Sequence, residues 1–418
     1  YFQGNLNMRP TALSEVIEAL SKLTIGVFAA WFIIRLPLGV PIAYLSDFVA
    51  SAADGLTEQL RLDFASAGAL FGVTAGILLS LIAMMTIYTF YKKKKVRLDN
   101  IPIRPRQEIV KELIFIAIPI TIGAAVTSLA SLIDLFTVIN RLQVNPAVME
   151  PYSHVFAEGA SVYRQATALY GMYTGYAFPM FNIPLAIVVA LSASLVPAIA
   201  GAMAKNEPDK ASKITHTVIR FVLLFTLPAA VGMSLLAGPI LHLIYNNANA
   251  AGVLQLLALA IVFVALVLVT NAILQAYGKV FVPVCTMLIG GAAKVAINYF
   301  LIPVWGISAA PISTIVCYAI IVLLNIFFIA KYVKLSFNFT KTFISPALSS
   351  IIMGVAALFS HDILSRIMPQ RIATVGAIAV AGVIYLFLIL ITRAVDREDL
   401  EMIPFLGKLS IKIYRWRA

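Results

Sequence analysis

"FQGNLNMRPTALSEVIEALSKLTIGVFAAWFI" (residues 2–33) and "LQAYGKVFVPVCTMLIGGAAKVAINYFLIPVW" (residues 274–305) share an order of parts: glutamine, a loop containing glycine, a proline, then a lysine on the helix that follows. Gln3 and Gln275 lie 272 positions apart, as do Lys22 and Lys294, and Pro10 and Pro283 differ by 273. The segments that come next also begin alike, "ASAGALFGVTAG" (65–76) and "GISAAPISTIVC" (306–317), with small residues that let helices approach closely. Read as a repeat, the first two helices are the last two of a six-helix unit whose complete copy spans helices three to eight. Two further helices follow. The parent architecture is then fourteen helices arranged as six, six and two, and "YFQGNLNMRP" (1–10) is the loop between its fourth and fifth members.

Composition fixes the solvent. With 61% hydrophobic residues, 12% charged and a mean hydropathy of +0.95, the chain has too few polar side chains to coat a soluble globule. It reads as an all-α polytopic membrane protein. The net charge of +12 comes from short cationic clusters between apolar runs, a pattern of membrane topology that excludes a nucleic-acid face. Cys285 and Cys317 lie inside apolar stretches and read as buried free thiols, with no disulfide framework or metal site.

Crossing a ~30 Å hydrocarbon layer takes about 20 helical residues. Ten segments meet that length, near 14–40, 65–91, 110–138, 168–201, 214–245, 250–275, 280–302, 307–333, 342–366 and 370–394. Cytoplasmic loops collect Lys and Arg. Residues 92–112 hold eight basic and three acidic side chains, and residues 41–64 hold one basic and four acidic. Further lysines, Lys205, Lys210, Lys213, Lys279, Lys331, Lys334 and Lys341, fall in every second loop. Both chain ends are therefore expected in the cytoplasm. The expected domains are 1–91, the last two helices of an N-terminal lobe; 92–112, a cytoplasmic linker; 113–335, a six-helix C-terminal lobe; 336–395, two additional helices; and 396–418, an amphipathic tail on the anionic inner leaflet.

Five stretches, "YFQGNLNMRPTALSEVIEAL" (1–20), "AIPITIGAAVTSLASLIDLFTVINRL" (117–142), "YGMYTGYAFPMFNIPLAIVVALSASLVPAIAGAMA" (170–204), "LPAAVGMSLLAGPILHLIYN" (227–246) and "LQAYGKVFVPV" (274–284), carry a family resemblance. Together they resemble the stage V sporulation protein B and lipid II flippase branch of the multidrug/oligosaccharidyl-lipid/polysaccharide exporter superfamily. The resemblance implies two six-helix lobes around a central cavity that opens alternately inward and outward. It also implies transport of a polyprenyl-diphosphate-linked saccharide across the bacterial plasma membrane. On that pattern the family's first four helices, with most of its diphosphate-gripping arginines, would precede Tyr1 or reside on another chain.

Ionisable residues at membrane depth are costly and face a cavity or a partner. Lys294 is the deepest cation, about 14 residues or ~21 Å into its helix, and reads either as one half of an ion pair or as a substrate-facing cation. Asp134, with Arg141 seven residues beyond, reads as an interhelical partner or as an outer gate or ion-coupling residue. Arg35 reads as a cavity cation or as a side chain snorkelling to the headgroups. Glu18 and Lys22 are spaced for an i, i+4 pair. The fourth segment strings together Tyr163, Tyr170, Tyr173 and Tyr176, Gly171 and Gly175, and Pro179, Pro184 and Pro197. Such irregular backbone is tolerated at membrane depth where it packs in protein or lines water. Tyr173 and Asn182 are its expected cavity residues, and Arg164 its outer cation, for diphosphate or sugar or as a belt anchor.

Two other classes compete with a lipid-linked saccharide flippase. A cation-coupled drug exporter of the same superfamily would favour a smaller cavity with a carboxylate pair, for which Asp134 is the encouragement. A membrane polymerase or ligase would need a large outer loop with clustered acids, bases or metal ligands; the outer loops are only ~25 residues, and His154, His216, His242 and His361 are scattered. The chain reads as no enzyme, with no cofactor beyond a coupling ion, sodium or proton, and with lipid, not nucleic acid, as partner.

Overall fold

The computed structural model describes residues 9–35, 54–92, 105–156, 159–332 and 340–392. The opening loop, most of the acidic outer loop, the centre of the basic linker and the amphipathic tail lie outside the described residues. Twelve α-helices make up nearly all of what is described, and no strand occurs among the described residues. They are α1 (Arg9–Arg35), α2 (Asp54–Lys92), α3 (Arg106–Leu142), α4 (Val162–Met172), α5 (Phe178–Ala204), α6 (Pro208–Leu235), α7 (Ala237–Tyr245), α8 (Ala251–Ala276), α9 (Phe281–Trp305), α10 (Ala309–Tyr332), α11 (Ser345–Ser365) and α12 (Gln370–Ile391).

The chain divides into two compact units at Arg104/Pro105, inside the basic connector. Among the described residues eight helical stretches are long and apolar enough to cross a membrane, and one of them, Phe281–Lys331, runs 51 residues. Left straight it would extend ~77 Å, more than twice the hydrocarbon thickness. The turn at Gly306, whose φ of 61° suits a residue without Cβ, divides it into α9 and α10. α3 is a further continuous helix of 37 residues.

In the first unit α1 and α2 form an antiparallel pair whose seam is made of glycine. A Cβ on Gly72 would lie 2.3 Å from the Cα of Gly26, and one on Gly76 would lie 3.0 Å from the Lys22 nitrogen. Gly68, Gly72 and Gly76 recur every four residues, one face of a helix, so the small-residue start read from the sequence is the contact surface. Lys22 Nζ reaches Glu18 Oε1 at 2.5 Å within α1.

In the second unit α8 is the hub. It is the most buried of the spans, with Leu254, Leu257, Ile261, Ala265, Val269 and Ile273 in the core, and α5, α6 and α10 pack around it. A helix apolar on all sides belongs at the centre of a bundle. The outer faces of the surrounding helices expose Leu, Ile and Phe, the surface that lipid solvates. α11 and α12 form a hairpin laid on α6: a Cβ on Gly354 would meet Val231 and Leu235, and the Tyr385 hydroxyl donates to the Leu224 carbonyl at 2.7 Å.

Two expectations need correction. The segment 214–245 is not one helix but α6 and α7, because the backbone leaves helical geometry at Leu236 and Pro239 cannot supply the N–H that the Leu235 carbonyl would accept. Cys317 is buried but Cys285 is exposed. Cys285 sits on the outward side of α9, whereas Thr286, Gly290, Lys294 and Asn298 form its buried stripe at four-residue spacing.

Candidate functional site

α3 and α9 run parallel and meet along a ladder of polar contacts. Asp134, Thr137 and Arg141 follow one another at three- and four-residue steps up α3, with Asn145 just past its end; Lys294, Asn298, Tyr299 and Pro303 answer them on the other. Lys294 Nζ donates to Asp134 Oδ2 at 2.6 Å, and Asn298 Nδ2 donates to Asp134 Oδ1 at 3.1 Å and to Thr137 Oγ1 at 2.9 Å. Above them Arg141 donates through Nε to the Tyr299 carbonyl at 3.0 Å, with its guanidinium 3.9 Å from the Tyr299 ring centroid. Asn145 donates to the Pro303 carbonyl at 2.8 Å.

The lowest rung is the chemically costly one. The side chains of Lys294 and Asp134 are 5% and 4% exposed, so neither charge has water to fall back on. Their mutual attraction and the Asn298 amide are what offset desolvation. The Asn298 Oδ1 is buried with no hydrogen-bond partner, an acceptor left over beside the carboxylate. Among the described residues no group of acids, histidines and cysteines is arranged to hold a metal ion.

A second buried polar cluster joins α8, α9 and α10. Thr286 Oγ1 donates to Asn325 Oδ1 at 2.8 Å, and Asn325 Nδ2 reaches Thr270 Oγ1 at 2.9 Å and Asn271 Oδ1 at 2.8 Å. Here the Asn325 amide has partners on both neighbouring helices, so it acts as a clamp between them. Sequence reasoning passed over Asn298, Thr137 and this cluster. The available signal was spacing: Asn298 is one turn from Lys294, and Thr137 is one turn from Asp134.

The fourth span is continuous from Val162 to Ala204 but carries a π turn, Tyr173–Ala177, between α4 and α5. The Phe178 N–H bonds to the Tyr173 carbonyl, five residues back. Pro179, which follows, has no N–H to give, and π turns of this kind recur at functional positions. Tyr173 was expected on a cavity, yet it is wholly buried, with its ring centroid 5.6 Å from that of Phe178. It falls on the inward face set by Ala166 and Leu169, seven and four residues before it in the way one helical face recurs. Arg164 and Asn182 are exposed on the same span. Arg35 belongs to the first unit, exposed at the end of α1 with its guanidinium 4.6 Å from the Trp31 ring centroid. Of the residues singled out, the structure brings together Asp134 and Lys294.

Comparison with known proteins places this architecture. Stage V sporulation protein B of Bacillus subtilis (strain 168) is 24% identical over 99% of this chain and 73% of its own length. The lipid II flippase MurJ of the same organism is 23% identical over 93% of this chain and 68% of its own. Among solved structures, lipid II flippase MurJ in an inward closed conformation matches with a TM-score of 0.48 and 15% identity, over 80% of this chain; the chain spans 62% of that protein. The family model described as lipid II flippase MurJ matches residues 25–367. A polytopic all-helical chain that matches this model over most of its length is a member of the MurJ lipid II flippase family.

Proposed function

We propose that this protein carries a polyprenyl-diphosphate-linked saccharide, lipid II or a related cell-wall precursor, across the bacterial plasma membrane by alternating access. The match of the family model over residues 25–367 carries this reading. The physics of the cargo agrees with it: an anionic diphosphate and a polar sugar do not cross hydrocarbon unaided, and a bundle that buries charge and amides at depth supplies what lipid lacks. Both ends of the chain lie in the cytoplasm on this reading, as the alternation of basic loops requires.

Within the bundle, the Asp134–Lys294 pair is the gate. It joins α3 to α9 through the contact that is dearest to break in a low-dielectric interior, so the state of this one pair decides whether the two helices move as a unit. A drug exporter would favour two carboxylates here, and the partner of Asp134 is instead a lysine. Native mass spectrometry of the protein after gentle purification tests the cargo: a retained polyprenyl-diphosphate saccharide is the expected result, and consistent recovery without any such lipid contradicts it.

A further inference from the structure

The face of the fourth span opposite Tyr173 is open. Arg164, Ala168, Gly171 and Gly175 recur along it at intervals of four, three and four residues, and a Cβ on either glycine would meet no atom within 4 Å. Glycine here does not admit a close-packed neighbour, as Gly72 does in the α1–α2 seam. It leaves room. The room is a cavity of about 470 Å³, lined by Gly171, Gly175, Tyr176, Asn247 and Asn249 among others, within the size range of small-ligand sites.

Its walls are chemically specific. The Tyr176 ring is held edge-to-face against Tyr245, with centroids 5.0 Å apart. Asn247 Oδ1 accepts the Asn249 backbone N–H at 2.8 Å, which pins that amide and leaves its Nδ2 as a donor. Pro179 deprives the Gly175 carbonyl of its usual donor four residues on. The cavity thus offers amide donors, a backbone acceptor without its usual helical donor and an aromatic ring, with no formal charge on any lining residue among the described residues. Cations stand outside it: Arg371 donates to Asn246 at 3.3 Å, one residue before Asn247, and Arg164 lies further along the open face.

We infer that this cavity is a saccharide subsite, which takes an uncharged sugar ring while the diphosphate stays outside near the cations. The inference rests on the flippase reading and assigns one part of the cargo to one part of the protein. Hydroxyl and acetamido groups match the amides and the carbonyl, and the polarised C–H face of a sugar is drawn to the negative face of an aromatic ring. A diphosphate would be stranded there without a counter-charge.

Two lipids and two variants test this: a polyprenyl diphosphate bearing one N-acetylhexosamine, the same lipid without sugar, Gly171→Leu and Asn247→Ala. Gly171→Leu fills the cavity and replaces glycine with a better helix former, and Asn247→Ala removes a donor without filling anything. Affinities are measured by native mass spectrometry titration of the intact protein, with thermal unfolding as a check on folding. The expected result is that each variant binds the sugar-bearing lipid about tenfold more weakly, the equivalent of one lost hydrogen bond, and binds the bare lipid as wild type does. If neither variant discriminates between the two lipids, the subsite is overturned while the flippase reading stands. If wild type binds neither lipid, the flippase reading fails and takes the subsite with it.

Discussion

Lys22 and Lys294 stand at matching positions in two segments that share an order of parts, 272 residues apart, and meet opposite fates. Lys22 turns along its own helix to Glu18 one turn back, and both side chains keep about a third of their surface exposed. Lys294 reaches to another helix, pairs with Asp134, and is closed off almost completely. The helix seams differ in the same sense. α1 and α2 meet glycine to glycine, backbone on backbone, so their contact is dispersion with little directional content. α9 also uses a glycine against α10, with Gly290 facing Ile321 and the Cys317 carbonyl. It adds polar contacts, Thr286 to α10, and Lys294, Asn298 and Tyr299 to α3. Two segments with the same order of parts thus meet their neighbours through a seam held by shape and a seam that carries charge.

The largest effect is expected at the buried pair. Lys294→Ala leaves the Asp134 carboxylate uncompensated and should lower stability by ~3–5 kcal/mol, read by denaturant unfolding of the solubilised protein. The double variant Asp134→Asn with Lys294→Met removes both charges and should recover a good part of that loss. Additive losses would show that the two residues do not act on each other. In transport, Lys294→Arg should retain more activity than Lys294→Ala, since the guanidinium keeps the charge; equal rates would remove Lys294 from the gate.

Next comes the glycine seam. Gly72→Ala puts a methyl group against the Gly26 backbone and should cost ~1–3 kcal/mol as the helices part, whereas Gly171→Ala, whose Cβ meets open space, should be neutral or stabilise by up to about 1 kcal/mol. Thermal unfolding of the two variants side by side is the check, and equal shifts would erase the distinction between a packed glycine and an open one. The smallest effect is Lys22→Ala: its local, half-exposed pair should leave the unfolding midpoint where wild type has it. A loss approaching that of Lys294→Ala would mean that the repeat has kept function in both lysines.

The ten apolar segments and the small-residue face of α2 were legible in sequence because both are one-dimensional patterns: length against hydrocarbon thickness, and glycine every fourth residue. The depth of Lys294 marked it as a residue needing explanation, and an acid within an apolar span marked Asp134 as one that needed a partner or a role. Their meeting was not legible, since two residues 160 positions apart have no periodicity in common. Tyr173 was misplaced for a related reason. In a span rich in tyrosine and glycine the sequence shows that one side is irregular, but the inward face is set by Ala166 and Leu169, which look unremarkable. The break at Leu236 was hidden by uninterrupted hydropathy through 214–245, where the proline at 239 was the available clue.

Transport of lipid-linked saccharide is most directly measured in vesicles holding the purified protein and a fluorescent polyprenyl-diphosphate saccharide, with a membrane-impermeant quencher added outside. In protein-free vesicles the inner-leaflet lipid stays protected. A flippase should expose that lipid, so wild type is expected to bring the signal below the protein-free plateau while vesicles with Asp134→Asn stay closer to it. A plateau with wild type equal to that of protein-free vesicles would contradict the reading.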